Sequence, residues 1–309
     1  MIDTDTGLLI GRQILIMFII LAIGALCYLK GLITKEGTKQ LSAVELQLVN
    51  PLLIFMSYQK EYNSKLLNGL LWSFALSAIS FAVMILLSYV FIGKNREDKD
   101  IERFASVYSN CGFIGIPLIN GIYGTDGVLY LTAYVTFFNL LVWTHGYMTM
   151  KGERDFSSFL KALKSPSVIA VFLGLICYLT NIRLPDVPAS AMQYVSDMNT
   201  PLAMLIAGAT AAQTNILKAM KKPVIYLVSA LKLLVFPACA FAVCRFLGAP
   251  QIVLMTVTIA AACPVATTGT MFAIQMDRKP ELCSEFFTIT TLLSALTLPL
   301  ITIAGTALS

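Results

Sequence analysis

Two stretches of this 309-residue chain collect residues that an apolar helix normally excludes. The first, SNCGFIGIPL at 109–118, contains Asn110 seven residues before Pro117, with two glycines between them. The second, ACPVATTGTMF at 262–272, contains Pro264 followed by several threonines. Proline interrupts the helical hydrogen-bond ladder and frees backbone groups. Free amides at a helix N-terminus, an asparagine amide and hydroxyl groups are the donors that bind a carboxylate. The two stretches therefore predict a site for an organic anion.

The candidate substrate-binding residues lie at the two breaks and on two other apolar segments. The breaks contribute most of them, and the other segments each add an asparagine. Tight packing of helices through small residues is the alternative explanation for the glycines, but it does not explain Asn110. The predicted set is Asn110, Cys111, Gly112, Pro117, Pro264, Val265, Thr267, Thr268, Asn50 and Asn139.

Composition indicates which elements hold these residues. Hydrophobic residues make up 57% of the chain and charged residues 13%, and the mean hydropathy is +0.78. Apolar runs of about 20 residues, long enough to cross a bilayer, recur along the chain. A soluble helical core would need a polar face on each helix, and most runs have none. The sequence predicts an all-α membrane protein with ten spans near 8–29, 41–58, 66–92, 101–122, 127–150, 166–181, 189–213, 223–247, 250–274 and 285–308.

The ten predicted spans divide into two similar halves. Span two contains LVNPLLIFM and span seven contains DMNTPLAML, and the prolines of spans four and nine also lie at corresponding positions. The halves are 8–150 and 166–308, joined by a short cytoplasmic linker at 151–165. Because five spans is an odd number, the second half enters the membrane inverted. Inverted repeats with broken helices are typical of secondary transporters. Asn50 and Asn199 either line the cavity or cap kinked helices.

Charge predicts the orientation of the chain in the membrane. Most lysines and arginines fall in loops that follow odd-numbered spans. The positive-inside rule places those loops in the cytoplasm, so both termini are expected on the outer side of the inner or plasma membrane. The positive charges are scattered over short loops, which argues against nucleic-acid binding.

Four ionisable residues within the predicted spans are candidates for coupling transport to an ion. Such residues usually mark function, and they are Lys232, Asp197, Glu45 and His145. Each has a simpler explanation as well. Lys232 can extend its stem toward the cytoplasm, Glu45 can lie at a solvated helix end, and a single histidine near an interface is often structural. The driving ion, H⁺ or Na⁺, stays open.

The motifs resemble those of the auxin efflux carrier family over nearly the whole chain. SNCGFIGIPLI resembles the fourth-helix motif of that family, and AACPVATTGTMFA with LSALTLPLITI resembles its ninth and tenth helices; VNPLLIF and NLLVWTHG also fit. The resemblance implies ten helices with broken crossover helices four and nine. It also implies a scaffold of helices one, two, six and seven and a mobile transport unit of helices three to five and eight to ten.

The resemblance further implies substrate and assembly. Family members carry organic anions such as indole-acetate, malate or malonate by alternating access, and the substrate-contacting asparagine corresponds to Asn110. A homodimer through scaffold helices is also implied. The short linker and Gly269–Thr270, where plant members have a second proline, argue against auxin itself.

Other classes of function are less well supported by the sequence. The seven cysteines have no metal-ligand spacing, so no metal or cofactor is expected. An intramembrane protease would need a serine with a basic partner, for which only Ser229 with Lys232 is available. An uncoupled channel or a transmembrane sensor on the same fold is the alternative that sequence cannot separate from a carrier.

Overall fold

The computed structural model describes residues 4–152 and 164–308, and side chains from residue 11 onward. Most of the predicted linker 151–165 lies outside the described residues. The described chain is helical, and its single β-type contact is an isolated antiparallel bridge between Ser109 and Val265. The α-helices are α1 Thr4–Leu29, α2 Lys35–Val44, α3 Asn50–Ser57, α4 Ser64–Phe91, α5 Lys99–Val107, α6 Ile116–Leu141, α7 Tyr147–Lys151, α8 Pro166–Leu179, α9 Asp186–Ser196, α10 Asn199–Ala212, α11 Ile216–Ala219, α12 Pro223–Ala230, α13 Phe236–Phe246, α14 Gln251–Ala262, α15 Thr268–Gln275 and α16 Pro280–Leu308.

Short π-helical turns join several of these helices. They span Glu45–Val49, Cys111–Gly115, Val142–Gly146 and Leu231–Val235. Three of them lead directly into a helix with proline in its first turn. Proline lacks an N–H and crowds the preceding turn, which favours a locally widened helix at that place. Such turns are frequent at functional sites.

Five helical stretches in the described part of the chain are long and apolar enough to cross a membrane. Two shorter apolar helices, α8 and α14, accompany them. One long stretch, from Cys111 to Lys151, is divided at Gly124, whose φ of 62° and ψ of −157° are not helical. A left-handed φ is accessible to glycine at little cost. The structure therefore supports a multi-pass membrane protein.

Helices α1 and α10 pack closely, with glycines facing the backbone of the other helix. A Cβ added to Gly24 would overlap the carbonyl oxygen of Leu205, and one added to Gly208 would overlap that of Leu21. Small residues at helix crossings permit such contact in membrane proteins. The first predicted span of one half thus packs on the seventh span, in the other half.

Ion pairs join loops that the charge pattern places on the same side. Lys279 Nζ donates to Glu97 at 2.6 Å and to Asp98 at 3.0 Å. These bonds, with Asp98 first and Glu97 second, raise the pKa of Lys279 to about 12. The lysine therefore keeps its charge at any physiological pH. On the other predicted side, Lys60 pairs with Asp126.

Candidate functional site

The two sequence breaks meet each other in the structure. Helix α5 ends at Val107 and α14 ends at Ala262, and the extended residues that follow them run antiparallel. Asn110 N donates to Pro264 O at 2.7 Å, and Ala266 N donates to Tyr108 O at 2.9 Å. This two-residue bridge satisfies backbone groups that lipid could not satisfy. The bridge is what brings the candidate residues of the two breaks together.

Asn110 forms one of the two hydrogen bonds of the bridge, next to the paired residue Ser109, and is the best-placed candidate ligand donor. Its carbonyl oxygen accepts from Ile114 N at 3.1 Å and Gly115 N at 3.3 Å, which fixes the start of the next helix. The side chain is 4% exposed, yet Nδ2 finds no hydrogen-bond partner among the described residues. An unpaired buried donor costs about 1–3 kcal/mol. Asn110 therefore carries a buried donor without a partner among the described residues, which makes it a candidate for contact with a ligand.

One backbone amide of the second break already has a hydrogen-bond partner. Val265 N donates to Thr290 Oγ1 at 3.0 Å, so this amide already has a partner. The Thr290 hydroxyl in turn donates to Phe286 O at 2.6 Å. Thr267 is half-buried, and Thr268 Oγ1 is buried without a partner among the described residues. Sequence reasoning missed Thr290, although it lies in the threonine-rich run TITT of the last span.

Lys232 lies directly beside the bridge and is completely buried. Its Nζ donates to Ser109 Oγ at 2.6 Å and to Ala261 O at 2.8 Å, and Val107 O lies at 3.5 Å. The alternative interpretation, that Lys232 extends toward the cytoplasm, is therefore wrong, because its amino group is held at the ends of both broken helices. Ser109 was missed by sequence reasoning, although it immediately precedes Asn110.

The predicted dyad of Ser229 and Lys232 is not formed. The ammonium of Lys232 bonds Ser109, whereas Ser229 Oγ is buried without a partner within the described chain. The proposed nucleophile and base are therefore not in contact.

A second buried polar cluster joins α10 to the segment before α3. Asn199 Nδ2 donates to Glu45 Oε1 at 2.7 Å and also to Asn50 Oδ1. Glu45 is fully buried, so the interpretation of a solvated helix end is wrong: Asn199 covers it from the other half of the chain. A Cβ on Gly112 would lie 3.5 Å from Asn50 Nδ2, which places this cluster against the first break.

The remaining predicted residues form no hydrogen bond of the bridge, although His145 contacts the side chain of the bridge residue Tyr108. Asn139 Nδ2 donates to Val135 O of its own helix at 2.9 Å. His145 lies between two tyrosine hydroxyls, 2.9 Å from that of Tyr108 and 3.3 Å from that of Tyr89. Asp197 is exposed and accepts from the Gln193 side chain at 2.6 Å. Their roles in substrate binding or coupling stay predictions.

Two further candidates of the first break have clear structural roles. Cys111 is fully buried at the start of the π-helical turn. Pro117 is the second residue of the helix after that turn, and its carbonyl oxygen accepts from Gln13 Nε2 at 3.4 Å. The described residues contain no group of three or more His, Cys, Asp or Glu side chains arranged to hold a metal ion.

Comparison with known proteins gives one family and two distant relatives. A family model described as membrane transport protein matches residues 9–158 and again residues 153–302. An uncharacterized transporter of Methanothermobacter thermautotrophicus is 23% identical over 295 residues, covering 94% of this chain and 96% of the relative. An uncharacterized transporter of Methanocaldococcus jannaschii is 23% identical over 301 residues, covering 90% and 93%.

Proposed function

This chain belongs to the membrane transport protein family, that of the auxin efflux carriers, and we propose that it is a secondary carrier for a small organic anion. The observation that carries the proposal is the bridge between the two broken helices. It places the unpaired amide of Asn110 where two half-helices begin again. Discontinuous helices of this kind form the substrate site in many carriers.

We assign the site at the bridge to a carboxylate. The helix that resumes at Cys111 has first-turn amides that lie too early in the helix for an intrahelical acceptor. At the helix that resumes at Thr268, Gly269 N and Thr270 N already donate to Ala266 O at 3.4 Å and Thr267 O at 3.1 Å, so this helix contributes mainly the positive end of its dipole. Together with the positive end of the helix dipole, these amides favour an anion. An arginine, whose guanidinium could bind a dicarboxylate through two parallel hydrogen bonds, is not among the bridge contacts. Malate, malonate or an auxin-like acid are the compounds to test.

The transport mechanism that we propose is alternating access. Ten spans form two inverted repeats of five, with α5 and α14 as the first halves of crossover helices four and nine. Two observations support this arrangement: the family model matches the chain twice, and the breaks of the two halves meet. The scaffold consists of spans one, two, six and seven, and the other six move past it to expose the bridge to either side. Both termini lie outside the cytoplasm.

The first test is uptake of labelled malate into proteoliposomes, with indole-acetate in parallel. We expect saturable uptake by the wild-type protein. The Asn110→Ala variant should take up substrate at least roughly tenfold more slowly below saturation, because it loses a hydrogen bond to a charged group. Asn95→Ala, which removes an exposed loop asparagine, is the matched control and should behave like wild type.

The outcomes separate the carrier from its alternatives. Normal uptake by folded Asn110→Ala protein would contradict the proposed site. Flux that neither saturates nor shows counterflow exchange would favour an uncoupled channel. Absence of uptake for both compounds would direct the work to a wider ligand screen and would favour a sensor.

A further inference from the structure

The Lys232 ammonium is a buried charge without a counter-charge. The side chain is 0% exposed, and no carboxylate in the described part of the chain forms an ion pair with it. Charged side chains inside a membrane protein are costly and are retained where they serve function. The charge must therefore be stabilised by the oxygen atoms around it.

Three oxygen atoms surround the ammonium, and we call them the oxygen cluster. They are Val107 O, Ser109 Oγ and Ala261 O, at 3.5, 2.6 and 2.8 Å from Nζ. Val107 is the last residue of α5, and Ala261 lies in the last turn of α14. Carbonyls in the last turn of a helix have no intrahelical donor and carry the negative end of the helix dipole.

An oxygen cluster of this composition is suited to a monovalent metal cation. Backbone carbonyls can replace the hydration shell of such an ion. Free carbonyls at half-helix C-termini are also where carriers with broken helices coordinate a coupling ion. In this chain the ammonium of a lysine on another helix fills that position.

We propose that Lys232 is a tethered cation that takes the place of a free coupling ion at the bridge. The ammonium holds the C-terminal ends of α5 and α14 together in every state of the protein. Stability of the bridge is therefore independent of Na⁺. The proposal rests on the proposed carrier function in one respect, because it calls the replaced ion a coupling ion. Whether a cation occupies the oxygen cluster can be tested without any substrate.

The test compares thermal unfolding of the purified protein in three salts at equal ionic strength. The salts are choline chloride, sodium chloride and methylammonium chloride. We expect the wild-type Tm to be the same in all three. We expect Lys232→Ala to unfold roughly 5 °C lower in choline chloride. Na⁺ or methylammonium should restore its Tm in a concentration-dependent way, since a cation that binds only the folded state stabilises it.

Two further variants define the response. Lys218→Ala removes an exposed lysine elsewhere and should show the wild-type Tm in all salts. Lys232→Met keeps most of the length of the side chain without its charge. We expect it to be destabilised and to respond to neither cation, because its side chain still fills the position.

Several results would overturn the proposal. Stabilisation of the wild-type protein by Na⁺ over choline would show that lysine does not fill the site. A Tm of Lys232→Ala equal to wild type in choline, or lowered and restored by neither cation, would show that the oxygen cluster needs no cation. A Na⁺ response in Lys232→Met would place the ion elsewhere. Lys232→Ala protein that folds only when purified in Na⁺ or methylammonium would support the proposal.

Discussion

The side-chain amide of Asn199, in the second half of the chain, joins two buried side chains of the first half. It donates to Glu45 and to Asn50, while Glu45 Oε2 and its own Oδ1 find no partner in the described residues. Buried polar groups that are only partly paired are costly, and removing the shared donor is costlier still. This cluster is therefore held together chiefly by one side chain.

We expect Asn199→Ala to lower the free energy of unfolding by about 2 kcal/mol, because two buried acceptors lose their donor. Thermal unfolding of the purified protein measures the effect. Asn95→Ala, at an exposed loop position, should leave the Tm unchanged. An Asn199→Ala protein as stable as wild type would mean that water reaches the Glu45 carboxyl.

Helix ends and helix crossings determine how the candidate site is positioned. The π-helical turns place Glu45 and Lys232 on widened backbone just before a proline, and a third such turn starts at Cys111. The bridge then fixes α5 against α14. The close α1–α10 contact is a separate feature, which joins the first predicted span to the seventh.

We expect Gly208→Ala to cost about 3 kcal/mol of stability, because the added methyl group would overlap the Leu21 carbonyl of α1. Yield of monodisperse protein on gel filtration and the Tm both report this loss. Gly11→Ala is the matched control, since a Cβ there meets no atom within 4 Å. Equal effects of the two substitutions would show that α1 can move away from α10 at little cost.

Loop charges give the whole molecule two distinct sides. Lys279 joins the loop before α5 to the loop before α16, and Arg278 pairs with Asp100 at 3.4 Å in the same region. A second group of ion pairs lies among the loops at the other end of the spans, where Lys60 and Arg183 each pair with an acid of that same group. From the positive-inside rule we propose that the first group faces the cytoplasm, with both termini on the other side of the membrane.

Labelling of single cysteines tests this orientation. In a background with the native cysteines replaced, Glu61→Cys should react with a membrane-impermeant maleimide in intact cells. Asn95→Cys should react only in inside-out vesicles, because its loop belongs to the cytoplasmic group. Both side chains are exposed, so access depends on sidedness alone. The reverse pattern would invert the proposed topology and place the termini in the cytoplasm.

Local patterns in the sequence determined the helices and the positions of the two breaks. Apolar runs and the prolines at 117 and 264 predicted where helices stop, because hydropathy and the missing proline N–H act on neighbouring residues. The predicted break at 109–118 overlaps the observed gap between α5 and the turn at Cys111. Pro117, where the ladder was expected to open, lies in the first turn of the next helix. Asn110 was recognised for the same reason: an asparagine is out of place in an apolar run.

Contacts between distant residues were decided only by the tertiary structure. Lys232 and Ser109 are 123 residues apart, and Glu45 and Asn199 are 154 apart. Depth in a span does not tell which way a lysine extends or which helix covers a glutamate. Those outcomes depend on the packing of helices, since a buried charge is stable only where other elements bring oxygen atoms or donors to it. The sequence thus located the unusual residues, and folding determined their partners.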